Sequence, residues 1–76
     1  MKLTIAFKES KECSKLAKML NYHDVLFAQY DNTLTTTIKR IDYSTFNIKD
    51  LTIIVNDELN HKINIDELLL LSIDED

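Results

Sequence analysis

Seventy-six residues with neither glycine nor proline must make every tight turn with other residue types. Positions of positive φ then fall to Asn or Asp, which tolerate the left-handed region best after Gly. The same absence removes whole classes of chemistry. Gly-rich phosphate cradles, the dinucleotide fingerprint and the P-loop each need Gly where backbone approaches phosphate closely, so none of them can be built here.

The length is that of one domain, residues 1–76. A domain this small buries only about 60–65% of its unfolded surface. Its core is thin, and a partner or a second copy is a natural source of further stability. Apolar residues at 45% and charged residues at 29% fit a globular rather than a disordered chain. A lone Cys13 gives no internal disulfide. The stretch Met1–Lys8 is too short and too charged for a signal peptide. The longest apolar run, Leu68 to Leu71, is far short of the roughly 20 residues of a membrane span. A cytoplasmic protein with no membrane contact is expected. Abundant Ile, Leu, Asn and Lys suggest an AT-rich coding genome such as that of a low-GC bacterium, its phages or an archaeal virus.

Leu3, Ile5 and Phe7 alternate on one face of residues 3–7, which predicts a first strand. Ser10 stands where an N-cap belongs, and Glu12 suits the positive end of the helix dipole. Cys13, Leu16, Ala17 and Leu20 follow at i, i+3, i+4 and i+7, an apolar stripe that predicts a helix over 10–21 with Asn21 as its left-handed stop. Residues 23–30 and 33–41 flank Asp31-Asn32, a two-residue hairpin loop. That loop pairs positions whose numbers sum to 63, setting Phe27 against Thr36, Val25 against Ile38 and Asp24 against Lys39. Residues 42–50 read as a continued strand, a turn or a short helix. Residues 51–56 are β-branched and strand-like, and Asp57–Asn60 reads as a turn into a strand at 61–65. Residues 66–73 fit a strand better than a helix, and the acidic end 73–76 is expected to fray. The fold class that results is α+β: a single small domain with a mostly antiparallel sheet of about five strands, ordered β-α-β-β-β-β, and one amphipathic helix on one face. One helix cannot cover such a sheet, so a face or edge is left open. The successive leucines imply a central position or an intermolecular contact, which marks Leu69 and Leu71 as candidate oligomer contacts.

Catalytic chemistry is sparsely provided for. Cys13 with His23 is the one conceivable nucleophile–base pair, and it requires an exposed thiol of depressed pKa. Cys13 also opens the apolar stripe of the helix, where a buried small residue belongs, and that reading is preferred. No paired Cys or His occurs at zinc spacing, and Asp57-Glu58 does not match a calcium loop, so neither metal nor cofactor is expected. Adjacent carboxylates such as Asp66-Glu67 splay apart on a strand rather than converge. A non-enzyme is expected.

Charge layout remains. Residues 1–20 carry a net +3, residues 21–50 a net −1, and residues 51–76 a net −6, within a total of −4. Lys11, Lys15 and Lys18 share a helical sector with Lys8 nearby, but the negative total and the scarcity of Arg argue against direct nucleic-acid binding. The acidic third, with Asp57, Glu58, Asp66, Glu67, Asp74 and Glu75, suits a partner with a basic surface. The functional expectation is a small acidic protein-binding module, such as a phage or mobile-element inhibitor docking on a nucleic-acid-handling host protein, for example a defence nuclease. The alternatives are a homodimer of structural or regulatory role, and charges that serve solubility alone.

Overall fold

The computed structural model describes residues 1–44, 46, 49–57 and 59–75. The elements are β1 (Lys2–Phe7), α1 (Ser10–Tyr22), β2 (Phe27–Tyr30), β3 (Thr33–Thr37), β4 (Arg40–Tyr43), β5 (Asp50–Asn56), β6 (Leu59–Asn64), a 3-10 turn (Ile65–Glu67) and β7 (Leu68–Asp74). The α+β class is as expected, but among the described residues there are seven strands in two antiparallel sheets. One has the order β2-β3-β1-β7 and the other β4-β5-β6.

The split falls inside the segment read as one strand, 33–41. Thr33–Thr37 pairs with β1 in the first sheet, and Arg40–Tyr43 pairs with β5 in the second. Ile38 and Lys39 make the crossing, with the Ile38 amide bonded to the Met1 carbonyl and the Lys39 amide to the Ile54 carbonyl. Each backbone donor is satisfied on a different sheet, so the chain changes layers without an orphaned amide. The ambiguous segment 42–50 begins in β4 and ends in β5; Thr45, Asn47 and Ile48 lie outside the described residues. The expected turn at Asp57–Asn60 is shorter, because β6 already begins at Leu59.

The hairpin register is as derived: Phe27 faces Thr36, Ala28 faces Thr35, Gln29 faces Leu34 and Tyr30 faces Thr33. Pairing stops at Phe27, so Asp24 does not meet Lys39, whose ammonium instead pairs with Asp57. Asp31 has φ 55, a single positive φ where a type I′ turn needs two.

Helix α1 begins differently from expectation. Glu9 occupies the N-cap with extended backbone and makes no side-chain cap, and Ser10 is already helical. Its end is also shifted. Asn21 stays in the helix, and Asp24 takes the left-handed position with φ 58. The Asp24 amide bonds to the Asn21 carbonyl and the Val25 amide to the Leu20 carbonyl. Those are the two bonds of a Schellman ending, with Asp standing where Gly is usual. Val25 packs against the buried cluster to which Leu20 belongs, the apolar burial that accompanies such an ending.

Cys13, Leu16 and Leu20 of α1 pack with Leu3, Ile5 and Phe7 of β1, Leu34 of β3, and Leu51, Ile53 and Ile63 of the second sheet in a single cluster, each at most 2% exposed. Fully burying such a side chain is worth about 1.5–3 kcal/mol. We expect Leu16→Ala to cost about 2–5 kcal/mol in urea unfolding, and Leu69→Ala, at an exposed site, to stay within about 0.5 kcal/mol. Asp24→Val should lose about 1–2 kcal/mol relative to Asp24→Gly, because only the former forces a β-branched residue into the left-handed region.

Candidate functional site: the open edge at β7

Strand β7 lies at the border of the four-stranded sheet and pairs with β1 alone. The leucine run is therefore not central, and its outer border is unpaired among the described residues. Register runs from Lys2 opposite Asp74 through Ile5 opposite Leu71 to Ala6 opposite Leu70, and then slips so that Phe7 faces Leu68. Leu69 is the extra residue of this bulge. Order reaches Asp74, inside the segment expected to fray; Asp76 lies outside the described residues.

Leu71 faces the core side with Leu68 and packs against the buried cluster. Leu69, Leu70 and Ile73 are exposed to 70%, 49% and 37%. Of the two leucines expected to make contacts, only Leu69 presents its side chain to the surface, and Leu70 joins it; Ile73, opposite inward Leu3, lies on the core side and is only partly open. The alternation of Leu3, Ile5 and Phe7 could have flagged Leu70 had the β1–β7 pairing been known, because Leu70 opposes the outward Ala6.

The direction of the β7 backbone follows from the ladder. The Ile38 amide bonds to the Met1 carbonyl and the Phe7 amide to the Asn32 carbonyl, so the odd-numbered residues of β1 bond toward β3. Alternation in an antiparallel ladder then turns Lys2, Thr4 and Ala6 toward β7. Their partners Asp74, Ser72 and Leu70 bond inward. Leu71 and Ile73 consequently direct their N–H and C=O groups away from β1, along the open edge.

The acidic residues divide between the two ends of this strand, which spans roughly 20 Å. At the Leu68 end, the Lys8 amide bonds to the Glu67 carbonyl, and Lys8, Glu9, Glu12, Asp66 and Glu67 line a depression of 210 Å³. Glu9 and Glu12, from the positively charged first third, thus join the carboxylates of the last third. At the other end stand Asp74, opposite Lys2, and Glu75. Asp57 belongs with Lys39, which holds its carboxyl below the usual carboxylate range through a hydrogen bond and its charge. Asp66 pairs with Lys49 at 3.0 Å. Glu58 lies outside the described residues. Part of the acidity counted along the chain is therefore met by cations from neighbouring segments. Glu9, Glu67, Asp74 and Glu75 make no ion pair among the described residues.

Cys13 is fully buried, and burial, aided by the Asp31 charge, raises its thiol pKa. Gln29 Nε2 donates to its Sγ at 3.4 Å. His23 is exposed at the helix end, edge-on to Tyr22. The thiol is thus the inert kind expected of a core residue. His61 is half-buried on β6 opposite Ile53. Burial lowers its pKa, Glu12 of α1 opposes that, and Lys15 adds to it. Among the described residues, no three His, Cys, Asp or Glu side chains converge as a metal site. No helix among them is long and apolar enough to cross a membrane. No protein-family model matches the chain, and no curated protein or solved structure matches it significantly.

Two outcomes follow from these burials. Cys13 should react with a thiol reagent only through opening of the fold, at least about 100-fold slower than in urea-unfolded chain. His61 has a folded pKa below its unfolded value, so its neutral form is favoured by folding. Its contribution is present above the unfolded value near 6.5 and is lost as pH falls toward the folded value. Replacing His61 by Gln should flatten the fall in unfolding free energy just below about pH 6.5, measured by denaturant titration.

Proposed function

We propose that this chain is a small acidic protein-binding module without catalytic activity. In this reading it is a phage or mobile-element inhibitor that works in the cytoplasm of a bacterial or archaeal host, docking on the basic surface of a nucleic-acid-handling protein. The observation that carries the reading is β7: an edge strand with exposed Leu69, Leu70 and Ile73, bracketed by Glu67 at one end and Asp74 and Glu75 at the other. An apolar centre with a charged rim is the composition of a protein interface, and carboxylates at the rim steer a basic partner toward it.

A homodimer through the same edge is the competing reading, and charge weighs against it. Antiparallel pairing of two β7 strands brings the Asp66–Glu67 end of one copy beside the Asp74–Glu75 end of the other. Centred on Leu71, it sets Glu67 directly against Glu75, and like charges directly opposite are destabilising. A partner with Lys or Arg at those positions meets no such repulsion.

Capture of a host protein from extract should weaken sharply between low salt and about 0.5 M salt, where screening acts within about 4 Å. A Glu9→Gln, Glu67→Gln, Glu75→Gln variant removes carboxylates that hold no ion pair among the described residues. It should keep its circular dichroism and thermal midpoint, yet lose the same captured protein. Equal capture by the variant overturns electrostatic docking. Sedimentation of the pure chain as a monomer overturns the homodimer.

A further inference from the structure

We propose that β7 takes an extended segment of the partner as a fifth strand of the four-stranded sheet. This rests on the docking reading above and specifies its mode. Outward N–H and C=O groups at Leu71 and Ile73 offer a ladder to a new strand, and strand addition supplies affinity through such main-chain bonds.

The other borders of the two sheets are poorer templates. Strands β2 and β4 have four residues each. Strand β6 carries Asn60, Lys62 and Asn64 along its outer side, and lysine at an edge is a common guard against pairing. Strand β7 has seven residues, with neither Lys nor Pro between Leu68 and Asp74. Its single irregularity is the bulge at Leu69, which confines regular pairing to Leu70–Asp74.

Charge selects the occupant. Glu67, Glu9 and Glu12 outnumber Lys8 at one end of the open edge, and Asp74 and Glu75 outnumber Lys2 at the other. The incoming segment is therefore basic at both ends and apolar at alternate central positions, where its side chains cover the exposed parts of Leu69 and Ile73. A second copy of this chain has the opposite charge at both ends.

The probe is a synthetic peptide, Lys-Lys-Val-Thr-Val-Thr-Val-Lys-Lys, titrated into the isotope-labelled full chain and followed by amide NMR. The expected result is saturable shifts centred on Leu71 and Ile73, with slowed exchange of those two amides. N-methylation of alternate peptide bonds on the pairing side should weaken binding at least about tenfold, the effect of one or two lost hydrogen bonds. A peptide with Glu in place of each Lys should not bind. Absence of shifts at Leu71 and Ile73 up to millimolar peptide overturns strand addition, as does equal binding of the N-methylated peptide. Protection of Leu71 and Ile73 in the peptide-free chain, together with a dimer in sedimentation, overturns it in favour of a second copy. Salt-sensitive capture of a host protein alongside any of these negative results leaves docking standing and removes the strand-addition mode alone.

Discussion

Burial of Leu3, Ile5 and Phe7 on one side of β1 is the interaction on which the remainder of the structure depends. This strand is bonded on both borders, to β3 and β7, and its inner face is the floor on which α1 and the three-stranded sheet both rest. Neither covering layer could close a core without it. In a chain this short, one shared floor concentrates the apolar burial that offsets chain entropy.

Electrostatics in the fold are more local than the segment totals suggest. Lys39 meets Asp57, Lys49 meets Asp66, and Lys62 meets Asp50. All are exposed or partly exposed pairs worth little individually, yet together they neutralise carboxylates that a linear count leaves bare. Among the described residues, Glu9, Glu67, Asp74 and Glu75 hold no such pair and stand near the two ends of β7, while Asp24 and Asp31, also without one, lie at the end of α1 and in the β2–β3 loop. For a docking surface, that placement matters more than the total of −4, because steering and partner choice depend on where charge faces solvent.

Two features combine at β7 that are usually kept apart. Native edges are commonly guarded by charge, proline or brevity, whereas this strand keeps exposed leucines at its centre and places its carboxylates only at its ends. Packing of the half-buried Leu71 and Leu68 against the core holds the strand in place, and the outward backbone groups of Leu71 and Ile73 then stand at a fixed register. The preorganised template lowers the ordering cost of adding a partner strand.

Local pattern was enough for α1, whose stripe of Cys13, Leu16 and Leu20 is buried as its spacing implies, and for the β2–β3 register set by a two-residue loop. It also limited left-handed backbone to Asp or Asn in a chain lacking Gly, as Asp24 and Asp31 display, but placed the helix stop at Asn21 instead of Asp24. Those features depend on neighbours within a few residues. The break at Ile38 and Lys39 was not legible, because it is decided by amide bonds to Met1 and Ile54, far away along the chain. For the same reason the sequence could name the acidic residues and the leucine run but not their arrangement. Only the pairing of β7 with β1 put Leu69 and Leu70 on the outside, turned Leu71 to the core and set the carboxylates at both ends of one open edge. Non-local pairing carries no periodic signature in either segment alone, so it was left to tertiary structure.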